Sequence, residues 1–321
     1  MTQEIMIKKI SDYILQNANT INVSGLYNGK AGLALALFVA SRQIQDDYIE
    51  NKAYNLLMEA LVDINHDTSF EKGQAGIGYV LSYLIQNRYL EADFDVIFRE
   101  QYKSIIKSLD NINNDPMKLL NSFKVIYFLT NVSPFKMNDN DHIQMIISNI
   151  FQGVEMFLTT QFFDFTDIDY VNNKLSVLNT YKIYLALINY SGYTKFSYSI
   201  LDDYTTLYRN RKIASSLEIG YYLKEIANKC KINGYDDVIH GNIANSIKNI
   251  RPQTLTIREQ IDTAKLIRNC NEELMEPFVP IFETDTVNDL LKTLNKNAML
   301  GYGNGLGRFL IYCIDKDIEL L

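Results

Sequence analysis

The sequence predicts an all-α protein, and within that class an α/α barrel (toroid) of about seven inner and seven outer helices. Two observations support this fold class. Helix-length segments alternate between amphipathic and strongly apolar, and a glycine-rich turn recurs along the chain. No stretch of useful length shows the alternation of a β-strand. Since 47% of the 321 residues are apolar, the chain can bury a large core, and we expect one domain over residues 1–321.

The glycine turn is clearest at residues 25–32, where G-L-Y-N-G-K-A-G runs directly into an apolar segment. A second copy, G-Q-A-G-I-G, occupies residues 73–78, and a looser third copy, G-Y-G-N-G-L-G, occupies residues 301–307. Gly73 repeats Gly29 about 44 residues later, a period typical of arrays of helix pairs. Glycine at these positions permits sharp turns and the close approach of a neighbouring helix.

One helix of each pair is amphipathic. Large apolar residues recur at helical spacing in seven such segments, over residues 4–16, 51–64, 94–109, 142–158, 200–207, 239–250 and 287–294. A more apolar helix follows each of them, over residues 28–41, 73–86, 116–130, 176–190, 214–229, 256–269 and 303–314. These second helices are too apolar to face solvent, so we expect them to form the inner ring. Their N-terminal ends, with the glycine turns, are the predicted place for a site.

The composition argues against several function classes. A net charge of −7 without a basic cluster argues against binding to nucleic acid. No apolar run is long enough to cross a membrane, and the N-terminus lacks the basic and apolar parts of a signal peptide. Three widely spaced cysteines are typical of a reduced protein, so we expect a cytoplasmic location without disulfides.

The glycine turns and the helix-pair period resemble the lanthionine synthetase C-like (LanC-like) cyclases over essentially the whole chain. The resemblance implies an α/α toroid whose members add a Cys thiol of a precursor peptide to a dehydroalanine or dehydrobutyrine residue, closing a thioether ring. In the family, a zinc ion held by two Cys and one His activates the thiol, because a metal-bound thiol is deprotonated near neutral pH. The expected partners are a precursor peptide and a dehydratase or another modifying enzyme.

The zinc ligands of the family are missing from the matching positions. The first cysteine corresponds to Ile213. The second corresponds to Ile239 or, in the register that leaves room for a full helix pair, to a position near Thr256. His240 belongs to the first of these registers, but it also lies inside a predicted amphipathic helix, where a surface or packing histidine is the simpler interpretation.

The cysteines of the chain do not replace those ligands. Cys230, Cys270 and Cys313 fall toward the C-terminal ends of predicted inner helices, away from the turns, and none has a neighbouring histidine. Buried structural thiols are therefore expected. We expect no bound metal and no other cofactor.

The resemblance also implies site residues. An arginine that precedes the first zinc cysteine corresponds to Arg209, which we expect at the N-terminal end of the fifth inner helix. The acidic residue of the third turn corresponds to Asp115, and an acid/base histidine of the fourth turn corresponds to Asn179. An asparagine cannot transfer protons at neutral pH. Arg209 and Asp115 also have simpler interpretations, as an exposed charge and as a helix N-cap. The residues expected to bind substrate around the turns are Tyr27, Asn28, Lys30, Lys72, Ser215 and Asn304.

Two functions stay open. One is a zinc-independent cyclase of lanthipeptide-type peptide modification, since a thiol with a pKa of about 8.5 is partly ionised without a metal. The other is a catalytically inactive module that binds a precursor peptide or a partner enzyme. A more distant alternative is another α/α toroid that acts on carbohydrate or isoprenoid. It would need paired carboxylates or an Asp-rich motif, and the turns supply only Glu71 and Glu218.

Overall fold

A computed structural model describes residues 3–62, 66–110, 112, 116–132, 140–161, 170–191, 193, 197–251, 254–270, 300–303 and 305–315. Within these ranges every regular element is a helix, and no strand is present. The prediction of an all-α fold is confirmed.

Thirteen α-helices lie in the described ranges. They are α1 (Gln3–Asn17), α2 (Lys30–Ile44), α3 (Asp47–Val62), α4 (Gln74–Gln86), α5 (Phe94–Asp110), α6 (Pro116–Val132), α7 (Asn140–Gln161), α8 (Tyr170–Tyr190), α9 (Tyr198–Arg209), α10 (Leu217–Cys230), α11 (Asp236–Asn249), α12 (Ile257–Cys270) and α13 (Leu306–Ile314). Each corresponds to a predicted segment, and the helix predicted at 287–294 lies outside the described residues. None of the described helices is both long and apolar enough to span a membrane.

Helices that follow a glycine turn begin later than predicted. α2 begins at Lys30 rather than at residue 28, and α13 begins at Leu306 rather than at residue 303. The residues before these starts belong to the turns, where Gly29 and Gly305 are N-caps in extended backbone conformation. In contrast, α8 begins at Tyr170, six residues before the predicted start at 176.

Burial follows the predicted alternation of helix types in α1, α2 and α13, whereas in α12, predicted as an inner helix, only Ile261, Ile267 and Cys270 are buried among residues 258–270. In α2 every residue from Ala31 to Ser41 is buried, and in α13 every residue from Leu306 to Tyr312 is buried. In α1, burial is confined to a single stripe, Ile7, Ile10, Ser11 and Ile14. A helix buried on all sides is an inner element, and a helix with one buried stripe is an outer one. The alternation is consistent with the predicted α/α toroid.

The described residues divide between two compact units. The first unit falls within residues 1–105, 251–265 and 276–321, and the second within residues 106–250 and 266–275. In the first unit, α2 packs against α1, α3, α4 and α13. In the second unit, α10 packs against α8 and α11, and α6 packs against α7 and α8. A single domain over residues 1–321 stays a prediction.

Candidate functional site

Three glycine turns lie side by side in the first unit. The backbone N–H of Tyr27 donates to the carbonyl oxygen of Glu71 at 2.9 Å, which joins the first turn to the second. The N–H of Gly303 donates to the carbonyl oxygen of Tyr27 at 2.6 Å, which joins the third turn to the first. Turns that are far apart in sequence therefore form one hydrogen-bonded set, as the repeat predicts.

Glycine is required where these turns touch. A Cβ atom on Gly25 would lie 2.4 Å from the carbonyl oxygen of Lys72, and one on Gly301 would lie 2.3 Å from the carbonyl oxygen of Tyr27. Both obstacles are backbone atoms, so no side-chain rotation relieves the clash. Only glycine lets the three turns approach this closely.

The turns themselves cap the helices that follow them. The N–H of Lys30 donates to the carbonyl oxygen of Val23 at 2.9 Å, and the N–H of Ala31 donates to that of Ser24 at 3.1 Å. The sequence predicts that helix ends collect N–H groups for a ligand, but these N–H groups already have partners in the turn. A ligand at this place must therefore be held mainly by side chains.

Four of the predicted substrate-binding residues lie on the first two turns. Asn28 and Lys72 are exposed, and Tyr27 is half-buried. The Nζ of Lys30 lies 2.9 Å from the carboxylate of Glu59, and only 15% of the Lys30 side chain is exposed. Lys30 therefore pairs within the protein, while Tyr27, Asn28 and Lys72 are accessible to a ligand.

A charged cluster that the sequence did not predict lies beside the first and third turns. On α12, Asp262 accepts hydrogen bonds from the Nη2 of Arg308 at 2.5 Å and from the Nε of Arg258 at 3.4 Å. The guanidinium carbon of Arg258 lies 5.2 Å from the centre of the Tyr27 ring, and that of Arg308 lies 5.3 Å from the centre of the Tyr302 ring. We call Arg258, Asp262 and Arg308 the arginine cluster.

The arginine cluster is largely removed from solvent. Only 8% of the Arg308 side chain is exposed, against 28% for Arg258 and 27% for Asp262. Burial lowers the pKa of both guanidinium groups, but the neighbouring tyrosine oxygens and the Asp262 carboxylate outweigh it, so each pKa is raised above its ordinary value. Both arginines stay charged, and the cluster has two cations for one carboxylate.

Sequence reasoning missed this cluster for a physical reason. Arg308 directly follows the third glycine turn, where a charged residue is normally expected to face solvent. Its partner Asp262 is 46 residues away in sequence, and no local pattern joins the two. The one signal in the sequence is that Arg258 and Asp262 share a helix face at i,i+4 spacing.

Arg209 lies in the second unit and forms an ion pair. It is the last residue of α9 rather than a residue at the start of the next inner helix, so the predicted placement is corrected. Its Nε and Nη2 donate to the two carboxylate oxygens of Asp237 at 3.0 Å and 2.8 Å. These hydrogen bonds raise the pKa of Arg209 and lower that of Asp237. The Asp237 carboxylate thus neutralises the charge of Arg209. Because Arg209 lies at the C-terminus of α9, the helix dipole adds no positive potential at this residue.

The other predicted site residues are distributed as follows. In the second unit, the Oγ of Ser215 lies 3.1 Å from the hydroxyl oxygen of Tyr208, and Asn179 is exposed on α8. Asp115 and Asn304 lie outside the described residues. The structure therefore brings together Tyr27 and its neighbours on the first-unit turns, and it places Arg209, Ser215 and Asn179 in the second unit.

The positions that correspond to zinc ligands in the LanC-like family do not fit a metal. Ile213 and Ile239 are apolar and buried. Thr256 and Glu259 form a capping box before α12, in which the Thr256 hydroxyl lies 2.8 Å from the Glu259 carboxylate. His240 is exposed on α11, with its Nδ1 2.8 Å from a backbone carbonyl oxygen of the same helix. In the described part of the chain, no group of three His, Cys, Asp or Glu side chains could hold an ion.

The cysteines lie where the sequence predicts. Cys230 and Cys270 are the last residues of α10 and α12, and Cys313 is next to the last residue of α13. All three are free thiols, but only Cys270 is buried, so the expectation of buried thiols is wrong for Cys230 and Cys313, which are partly exposed. Burial raises the pKa of Cys270 to about 11, so this thiol is protonated and unreactive near neutral pH.

Comparison with known proteins gives one match. A family model described as "Lanthionine synthetase C-like protein" matches residues 2–148, which contain the first two glycine turns and helices α1 to α6. No curated protein and no solved structure matches the chain. The match agrees with the resemblance that the glycine turns indicate, and residues 2–148, a little less than half of the chain, are similar to this family.

Proposed function

We propose that the protein takes part in the modification of ribosomally made peptides and binds a dehydrated precursor peptide at the glycine turns of the first unit. The family match supports this proposal, because lanthionine is the product of thiol addition to a dehydroalanine residue. The observation that supports the proposed site is the hydrogen-bonded set of turns, because Tyr27, Asn28 and Lys72 belong to turns that contact each other through their backbones.

Each of these side chains suits a peptide ligand. The half-buried ring of Tyr27 offers an aromatic surface on which a planar dehydro-residue can stack. The exposed amide of Asn28 can donate to and accept from a peptide backbone. Lys72 adds an exposed cation that can pair with a carbonyl oxygen or a carboxylate. Since the helix N–H groups of α2 donate to turn carbonyls, these side chains supply most of the recognition.

Calorimetry with synthetic peptides tests the proposal. One peptide contains a dehydroalanine and a cysteine, and its control has alanine in place of the dehydroalanine. We expect the first to bind about tenfold more tightly, because only it has the planar unsaturated group. The double variant Asn28→Ala, Lys72→Ala should weaken binding about tenfold, since two polar contacts are lost. Asn245→Ala, at an exposed residue of the second unit, is the matched control. Equal affinity for the two peptides would contradict the proposal.

Thioether closure without a metal is a second candidate function. The peptide thiolate attacks the β-carbon of dehydroalanine, the π electrons move to the α-carbon and its carbonyl oxygen as an enolate, and the α-carbon then takes up a proton. About 3% of a thiol with a pKa near 8.5 is ionised at pH 7. The residues predicted for this chemistry are Arg209, Asp115 and Asn179. Two hydrogen bonds to Asp237 orient the Arg209 guanidinium, and this observation favours the cyclase function, since a positioned cation stabilises an enolate.

One readout separates the two candidates. Closure removes a free thiol from the peptide and leaves its mass unchanged. Loss of the thiol faster than in buffer alone would support cyclisation. Tight binding with no acceleration of thiol loss would support a peptide-binding scaffold.

A further inference from the structure

The arginine cluster holds one positive charge more than its carboxylate neutralises. Arg258 and Arg308 share Asp262, and among the described residues neither arginine forms an ion pair with any other carboxylate. Charges in a partly buried site normally have a counter-ion, because removing an unpaired ion from water is costly. The composition of the cluster therefore favours the binding of a further anion.

Two of the three nitrogen atoms of the Arg308 guanidinium have acceptors, since Nη1 donates to the Tyr302 hydroxyl at 3.3 Å and Nη2 donates to Asp262. The Nε of Arg308 is buried and has no hydrogen-bond partner among the described residues, in a residue that is only 7% exposed. Arg258 is more open, and it contacts Asp262 through Nε at a long 3.4 Å. Because Arg258 is the more exposed of the two arginines, an anion that arrives from solvent would contact Arg258 before Arg308.

The charge of the cluster selects a carboxylate. One monoanion neutralises a surplus of one positive charge, whereas a phosphate monoester would reverse the sign of the site. The planar fork of a guanidinium also matches the two oxygens of a carboxylate. Because the whole chain has a net charge of −7, an acidic peptide gains nothing from general attraction, and any preference for it must come from a local site.

We propose that the arginine cluster is a subsite for one carboxylate group of the bound peptide, either an acidic side chain or a free C-terminus. This inference rests on the proposed function, because it assigns an anchor for the peptide that the glycine turns bind. Arg258 clamps the carboxylate beside the Tyr27 ring. Asp262, which also accepts a hydrogen bond from Arg308, holds Arg258 in position.

Calorimetry with a set of capped synthetic peptides tests the subsite. The first peptide contains one dehydroalanine and one glutamine, with both ends blocked. The second has glutamate in place of glutamine, and the third keeps glutamine but has a free C-terminal carboxylate. A parallel pair, with glutamine or glutamate, has alanine in place of dehydroalanine. We expect the glutamate or the free-carboxylate peptide to bind about tenfold more tightly than the first, and the arm that gains affinity identifies the source of the carboxylate.

Matched variants show whether the gain belongs to the cluster. Arg258→Gln should abolish the gain, so that the glutamate, glutamine and free-carboxylate peptides bind the variant with equal affinity. Arg251→Gln, at an exposed arginine just before α12, should keep the gain. Arg258 is the better target, because the burial of Arg308 makes any replacement there a risk to folding. The melting temperature of each variant checks that the first unit is intact.

The outcomes distinguish the two proposals. If neither carboxylate peptide binds more tightly than the neutral one, or if Arg258→Gln keeps the gain, the subsite is overturned, while binding of the neutral dehydroalanine peptide still supports the proposed function. If dehydroalanine gives no advantage over alanine, the proposed function fails. A gain from glutamate in the alanine pair would then still support the carboxylate subsite.

Discussion

The two units satisfy the first N–H groups of their inner helices in different ways. In the first unit, backbone carbonyls of the turn accept them, as when Val23 accepts from Lys30 at 2.9 Å. In the second unit, side chains do so at the start of α10. The Oδ1 of Asn242 accepts from the N–H of Ser216 at 2.9 Å, and the Oγ of Ser216 accepts from the N–H of Ile219 at 3.5 Å. In both units the first N–H groups of these helices have acceptors, but only the arrangement with backbone carbonyl acceptors requires glycine.

This difference affects where a glycine motif can be recognised in the sequence. A turn closed by its own backbone fixes glycine at the points of contact, and the first two such turns lie within the matched residues 2–148. A turn closed by side chains can use serine and asparagine instead. Residues 211–217 contain no glycine, and this turn is capped by its own Ser216 and by Asn242 of α11. The sequence motifs therefore identify the turns of the first unit more clearly than the turn before α10 in the second unit.

The largest effect is expected from adding a single methyl group at a turn contact. Gly25→Ala should destabilise the first unit by about 3 kcal/mol or more, because its Cβ would lie 2.4 Å from the carbonyl oxygen of Lys72. Gly241→Ala in the second unit should cost less than about 1 kcal/mol, because its Cβ would meet only the hydroxyl end of Tyr208. Urea unfolding followed by circular dichroism measures both. Equal losses in the free energy of unfolding for the two variants would mean that backbone contacts between the turns do not require glycine at residue 25.

A smaller loss is expected at the side-chain cap of the second unit. Asn242 is fully buried, and its Oδ1 also accepts from the Tyr204 hydroxyl at 3.0 Å. Asn242→Ala should cost about 2 kcal/mol, because it removes the buried acceptor that the Tyr204 hydroxyl and the part-buried N–H of Ser216 share. Asn245→Ala, on the exposed side of the same helix, should change the free energy of unfolding by less than about 0.5 kcal/mol. A tolerated Asn242→Ala would show that the cap is replaceable.

The second unit should also respond to pH at Glu155. Burial raises the pKa of Glu155, although a 2.6 Å hydrogen bond donated by Tyr184 acts in the other direction. The folded state thus binds this proton more tightly than the unfolded state. Its contribution to stability is fully present below the unfolded pKa of about 4.3, and it is lost as the pH rises through the higher folded pKa.

Glu155→Gln tests this sign directly. The variant should match the wild type at about pH 3.5 and become the more stable of the two as the pH rises to neutral. Urea midpoints of both proteins at several pH values measure the difference. A wild type that gains stability over the variant with rising pH would reverse the assignment.

The smallest change in stability is expected at Arg209. Its ion pair with Asp237 is exposed on both sides, and exposed pairs contribute little, so Arg209→Ala should change the melting temperature no more than Arg211→Ala does. If the second candidate function holds, Arg209→Ala should nevertheless slow thiol loss from the peptide much more than Arg211→Ala does. Equal rates of thiol loss for the two variants would mean that Arg209 is only an exposed surface charge.

The sequence predicted the helices better than it predicted their ends. Apolar spacing revealed every described helix, because helical burial imposes a period that is visible residue by residue. It could not show that the residues before Lys30 and Leu306 form the turn, since a glycine motif followed by apolar residues is compatible with either boundary.

The site was predicted only where local sequence encodes it. Tyr27, Asn28 and Lys72 could be named as candidates because they lie inside or beside the glycine motifs. The arginine cluster was missed because its central contact joins Arg308 to a residue 46 positions away. The pairing of Arg209 with Asp237 was missed for the same reason, since the partner lies 28 positions further along the chain. Such contacts are set by tertiary packing, which no local pattern records.

Photo-crosslinking tests the central claim, that the first-unit turns bind the peptide, most directly. A dehydroalanine peptide with a benzophenone side chain beside the dehydro-residue is irradiated with the protein, and mass spectrometry maps the attachment sites. The account predicts crosslinks within or directly beside the two matched turns, residues 25–32 and 73–78, that an excess of unlabelled dehydroalanine peptide removes and that the alanine peptide does not. Crosslinks confined to residues 209–217 of the second unit would contradict it.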